Sequence, residues 1–242
     1  MVRLTRRDVR LLAKLAASRW LSTRQIAALI FNGKDPSIAR RRLAQLAKAG
    51  YVHSLRTSRT AEVFHAVGRE GKPVLAREGL SIELERTLPG ELEHLKGIND
   101  IRVAVEAEGV PVRYFYAAWE LRRFPQFRHV IPDAAFAIEA ERKLRFLVEY
   151  DRAREPRKVL RQKVLTYQEG VLEHAWDGLL VIAETAARAE SLVRGLSPLD
   201  LPARRFFVTD MSVVRTKGFF GSVFTDLALA GRGGPLSLMD VH

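Results

Sequence analysis

Three acids stand where strand-like sequence normally carries none. The segment His129–Asp151, HVIPDAAFAIEAERKLRFLVEYD, holds two apolar runs; Asp133 follows Pro132 inside the first, and Glu149 and Asp151 close the second. A turn at Ala140-Glu141-Arg142 would fold the two runs into a hairpin. Centred on Glu141, that hairpin sets Asp133 opposite Glu149, and the alternation of side chains along a strand adds Asp151 to the same face. The other face then collects Pro132, Ala134, Phe136, Ile138, Phe146, Val148 and Tyr150 as core, and a slip of one residue would undo the pairing. Three converging carboxylates repel one another unless a cation joins them. A hard ion with oxygen ligands, Mg²⁺ or Mn²⁺, meets that demand, so Asp133, Glu149 and Asp151 are the candidate metal ligands. Such an ion polarises a phosphodiester and acidifies a bound water. Basic residues follow closely: Arg152, then Lys158, Arg161 and Lys163. The plainer alternative is that Glu149 and Asp151 pair with Arg152, Arg154 or Arg157 at a strand end.

The surrounding sequence supplies elements to hold such a site. A helix over 91–108 turns Leu92, Leu95, Ile98, Ile101 and Val105 inward; 111–121 alternates like a strand. After the hairpin come a helix over 155–170, a buried strand over 176–183, a helix over 186–195 and a strand over 205–208. This order predicts an α/β domain with a mixed sheet over 91–215. Thr87-Leu88-Pro89-Gly90 marks a break, so 73–90 reads as a linker, and 216–242 is a tail without clear assignment.

Charge sets the first part of the chain apart. Residues 1–72 hold 16 Lys/Arg against 4 Asp/Glu, whereas 73–242 hold 24 of each. The whole excess of +12 therefore lies in the first third, the footprint of a module that meets a polyanion, unless it is only a basic, solubilising surface. Thr5 and Ser22 stand where two helices need N-caps; Asp35-Pro36 starts a third, which Gly50 ends. Tyr51–Val67 reads as two strands around a basic, polar tip. Three helices and a hairpin make a winged helix-turn-helix over 1–72, with double-stranded DNA as its partner. Ser37, Arg40, Arg41 and Arg42 lie on or near the exposed side of the third helix; Arg56 and Arg59 sit on the wing, for phosphate or minor-groove contact. Three consecutive arginines sweep about 200° of helix, so they cannot all face one groove. The other reading is a helical protein-interaction module with a solvated basic face.

The residues also resemble known families. Pro132-Asp133, a short hairpin, Glu149 and a basic helix resemble the PD-(D/E)XK nuclease core, whose helix, three-strand, helix, strand order parallels residues 91–183. That resemblance implies that Asp133 and Glu149 hold the metal and that a Lys two residues after the Glu positions the attacking water. Asp151 stands in that place here, and Lys163 on the following helix is the substitute, giving Asp133, Glu149, Asp151 and Lys163 as the candidate catalytic set. Over about residues 5–185 the chain resembles the replication-relaxation family. The likeness is carried by the N-terminal helices and wing, HLKGIND (His94–Asp100), Pro132-Asp133, FLVEYDR (Phe146–Arg152), Lys163 and Tyr167. It implies a DNA-binding protein of plasmids, phages or other mobile elements, with a homodimer and the replication or relaxase machinery as further partners.

Other residues weigh less. Asp100, Glu106 and Glu120 are acids that could join the same cleft or remain helix and strand-end charges. The six His are scattered, without HExxH spacing, so His94 is not read as a metal ligand. Tyr167 reads as packing or polar support rather than a strand-cleaving nucleophile. The absence of cysteine removes disulfides and thiolate chemistry, and no apolar run spans a bilayer, so a cytoplasmic, nucleoid- or plasmid-associated location is expected. The leading expectation is a DNA-binding protein acting in replication, relaxation or mobilisation. A Mg²⁺-dependent endonuclease or nickase, and a winged-helix transcriptional regulator with a non-catalytic C-terminal domain, are the two competing readings.

Overall fold

The structure is a computed structural model that describes residues 2–32, 36–58, 61–154, 156–170 and 176–241. It divides into two compact units, Met1–Val103 and Ala104–His242.

The first unit begins with α1 (Arg6–Ser18), β1 (Leu21–Ser22), α2 (Thr23–Phe31) and α3 (Pro36–Lys48). Thr5 and Ser22 do cap their helices, and both form reciprocal capping boxes, Thr5 with Asp8 and Ser22 with Gln25. Strands β2 (Val52–Arg56) and β3 (Val63–Val67) form the expected hairpin, and β1 joins it to make a three-stranded antiparallel sheet in the order β1-β3-β2. Gly50 turns the chain from α3 into β2 at φ +77°, a conformation that strains any side chain. Leu11, Leu12 and Leu15 of α1, Ile26 and Ile30 of α2, and Leu43 and Leu46 of α3 pack into one core. Within the expected linker, α4 (Gly71–Arg77) buries Leu75 in that same core.

Helix α5 (Leu92–Ala107) follows, and the division between the units falls within it. The second unit is a mixed α/β assembly. Its strands are β4 (Val112–Ala117), β5 (Ala134–Glu139), β6 (Lys143–Asp151), β7 (Gly178–Ala183), β8 (Phe206–Asp210) and β9 (Thr225–Asp226). They form one six-stranded sheet in that order; β6-β7 and β7-β8 are parallel, and the other pairs antiparallel. Short α6 (Ala118–Leu121) ends the run expected as a single strand over 111–121. The remaining helices are α7 (Arg157–Gly170), α8 (Ala186–Leu196) and α9 (Met211–Lys217). Central strands β6 to β8 are near-continuously buried, as parallel strands covered on both faces must be. Leu147, Leu179 and Val181 on one face pack with Leu160, Val164 and Leu192 of α7 and α8. On the other, Phe136 stacks on Phe115 and meets Phe146 tilted and Phe219 edge-on. The tail thus holds core: Phe219, Phe224 and Leu238 are fully buried and β9 pairs with β8. Among the described residues, no helix is long and apolar enough to cross a membrane.

Candidate functional site

The β5–β6 hairpin has the register that the sequence implies. Ala134 faces Val148 and Phe136 faces Phe146, so extending the ladder by one residue sets Asp133, just before β5, opposite Glu149. The face carrying the acids is largely covered, however: Asp151 is buried with Glu149, and Asp133 is half-buried. That face lies beneath α7, and Glu149 is 3% exposed.

Glu149 is answered from one face of α7 by two side chains four residues apart. The Tyr167 hydroxyl donates to its Oε1 at 2.5 Å, and Lys163 Nζ donates to its Oε2 at 3.1 Å. Burial, reinforced by the negative charge of Asp133, pushes the Glu149 carboxyl up to about 8 despite these donors. Burial and the neighbouring Glu149 also raise the Tyr167 phenol, which keeps it a hydrogen-bond donor. Fully buried, Tyr167 supports the Glu149 carboxyl rather than meeting a substrate. Asp133 accepts from the Tyr150 backbone N–H at 2.8 Å, which fixes the carboxylate at the mouth of the hairpin.

Asp151 takes a different partner. Arg188, in the first turn of α8, grips it with Nε at 2.8 Å and Nη2 at 2.9 Å, and the Ala153 N–H adds a third bond at 2.6 Å. These hydrogen bonds raise the Arg188 guanidinium above its ordinary value. The partners of the acids are therefore Lys163, Tyr167 and Arg188, not the adjacent arginines of the strand end. Arg152 reaches Glu184 instead, at 3.6 Å. Arg188 escapes sequence reasoning because only parallel pairing of β6 with β7, which sets Asp151 beside Ala183, carries it there.

Whether these residues suit a divalent ion follows from their bonds. Mg²⁺ wants several oxygen ligands with near-octahedral geometry, commonly one or two carboxylates completed by water or phosphate. Both oxygens of Glu149 accept bonds from protein donors, one of them a cation, and both oxygens of Asp151 are held by a guanidinium. Among the described residues no group of three or more His, Cys, Asp and Glu is placed to hold a metal ion. With Glu149 and Asp151 so occupied, the acids as arranged do not fit Mg²⁺ or Mn²⁺. The other acids have local roles: Glu120 accepts from the Ala117 N–H to cap α6, and Asp100 accepts from Gln25 Nε2 at 2.8 Å. The HLKGIND segment is a tie within the first unit, where Asn99 Nδ2 donates to the carbonyls of Ser18 and Trp20.

The front-end candidates separate into two kinds. Ser37, Arg40 and Arg41 are exposed on α3, and Arg56 is exposed at the end of β2. Arg42 turns inward: its Nε and Nη2 donate to the Asp8 carboxylate at 2.9 and 2.6 Å, and Nη2 also donates to the Arg3 carbonyl. Burial alone would lift the Asp8 carboxyl, but the bonds from Arg42 and Thr5 hold it below its ordinary value. Arg42 thus positions α3 against α1. Arg59 and the Asp35 cap lie outside the described residues. A set of cations not singled out in the sequence reading lies before and along α1: Arg3 just ahead of the helix and Arg6, Arg7 and Arg10 on it are exposed, with Arg7 over the Phe31 ring. The signal was in the sequence, as arginines three and four residues apart.

The model of the replication-relaxation family matches residues 12–179. No curated protein and no solved structure matches the chain.

Proposed function

The chain belongs to the replication-relaxation family, and from that footing we propose that it is a DNA-binding protein acting in the replication or relaxation of a plasmid, phage or other mobile element. The first unit is its duplex-reading part, a winged helix with α3 entering the major groove and the β2–β3 hairpin as wing. The observation that carries this reading is the exposure of Ser37, Arg40 and Arg41 along α3, in the part of the chain that holds all the excess positive charge. Arg40 and Arg41 reach bases or phosphate, Arg56 and the α1 arginines reach phosphate, and Arg42 sets the angle of α3.

The second unit is a PD-(D/E)XK-like frame that has turned its acids inward. Lys163, the sequence's substitute for the nuclease lysine, is engaged there as an internal hydrogen-bond donor to the Glu149 carboxyl. It is therefore a non-cutting unit, available for dimerisation or for recruiting replication partners. Two experiments test the whole. Arg40→Ala/Arg41→Ala should weaken binding to duplex DNA strongly and flatten its dependence on salt; unchanged binding would remove the winged-helix reading. Supercoiled plasmid incubated with Mg²⁺ or Mn²⁺ should stay intact. Metal-dependent nicking that Asp133→Ala abolishes would replace the second claim with the nuclease reading.

A further inference from the structure

A trough of about 600 Å³ runs along the outer side of α7 within the second unit, bounded by His129 and Val130 from the segment before β5. Its helix wall is formed by Lys158, Val159, Arg161, Gln162, Lys163 and Thr166. The lining holds three cations and no carboxylate, although residues 73–242 carry equal numbers of acids and bases. This local imbalance, in a concave wall, focuses positive potential on whatever enters. Lys158 and Arg161 are exposed, and so is His129; Val159 is 37% exposed, an apolar patch amid the charges.

We propose that this trough holds a single strand of nucleic acid by its phosphodiester backbone, without a divalent ion. Three features point to a strand. First, from Lys158 to Thr166 the wall extends roughly 12 Å along the helix, more than one phosphate needs. Second, the volume suits one nucleotide unit rather than a duplex, since small-molecule clefts run about 300–1,000 Å³. Third, cations beside an apolar surface and an imidazole ring are the combination that binds strands without reading sequence: charge for the backbone, and flat or apolar surface for unstacked bases. Lys163 already bonds Glu149 at 3.1 Å, so the trough has a fixed cation at its floor, and Lys158 and Arg161 are the groups that reach outward. The inference does not depend on duplex binding by the first unit.

The test uses the full chain in EDTA with a fluorescent oligothymidylate, read by anisotropy. The Arg40→Ala/Arg41→Ala variant serves as background to suppress binding by the first unit. Strand binding should survive in that background. Adding Lys158→Glu/Arg161→Glu should weaken it by about tenfold or more and reduce the salt slope by about 1.4, the sum for two lost phosphate contacts on a single strand. Val159→Gln, which leaves every cation in place, should weaken the strand but not inorganic phosphate. All these side chains are exposed or nearly so, and an unchanged circular dichroism spectrum verifies folding. Strand affinity unchanged by the charge reversal would overturn the proposal, as would binding that appears only with Mg²⁺ or Mn²⁺. Displacement of the strand by inorganic phosphate at equal phosphate concentration would also overturn it, leaving a simple anion site. Loss of duplex binding in the Arg40/Arg41 background with strand binding intact keeps the two readings separate.

Discussion

In the first unit Arg40 and Arg41 of α3 face outward, while Arg42 turns in to the buried Asp8 and fastens α3 to α1. In the second unit Glu149 and Asp151 of β6 face inward, and each is met by donors: Glu149 by Tyr167 and Lys163, Asp151 by Arg188. The contrast extends to titration. His65, buried in β3, has its ring nitrogens 2.9 Å from the hydroxyls of Thr23 and Ser54 and is pushed down to about 4 by burial. Glu149 is pushed up to about 8 by burial and Asp133. Both groups are thereby kept neutral near physiological pH, because an interior charge costs more than its local bonds return. Surface charge in this chain is available for partners, whereas interior charge or its suppression sets architecture.

The sharpest way to break that contrast is to remove Arg188. Its side chain is 14% exposed and that of Asp151 6%, so Arg188→Ala strands a buried carboxylate and should cost about 3–5 kcal/mol in urea unfolding. A loss under 1 kcal/mol would mean that water, not Arg188, satisfies Asp151. Next comes pH. The neutral His65 stabilises the fold above its ordinary 6.5, and that contribution is lost as pH falls from there through about 4. Glu149 acts in the opposite sense: its contribution is complete below the ordinary 4.5 and is lost as pH rises through about 8. Protection of β3 amides against hydrogen exchange, corrected for intrinsic rates, should therefore fall by about 2 kcal/mol from pH 7 to 5. Protection of β6 and β7 amides should fall by about 2 kcal/mol from pH 6 to 8, and Glu149→Gln should flatten only the latter. Tyr167→Phe comes third; it leaves Glu149 one donor short and should cost about 1–2 kcal/mol by thermal unfolding. The smallest effect is at the surface. Arg41→Ala should leave stability within about 0.5 kcal/mol, yet weaken duplex binding by about 1 kcal/mol and lower the salt slope by about 1.

The β5–β6 register was legible because a polar three-residue turn and strict alternation leave few ways to pair Phe136 with Phe146. The two capping boxes were legible for the same local reason. What stayed hidden depends on distant neighbours. Arg40, Arg41 and Arg42 are equivalent in sequence, and only Asp8, 34 residues before Arg42, decides which one turns inward. Arg188 needed the parallel pairing of β6 with β7. The end of 111–121 looked like strand because Trp119 and Leu121 continue the alternation, but Glu120 caps a helical turn there. The tail was opaque because β9 is two residues long and its order comes from Phe219 and Phe224 meeting each other and the sheet, a signal with no period.

That last strand has a consequence for biosynthesis. β9 covers the rim of β8, and Glu108, at the far end of α5, accepts bonds from the Phe219 and Phe220 N–H groups more than a hundred residues later. Until β9 is in place, β8 is an unpaired rim and the phenylalanine face beside it is uncovered. During that interval it is a template for joining other chains, so a ribosome stalled between 210 and 224 should release a product that aggregates rather than one that is merely less stable.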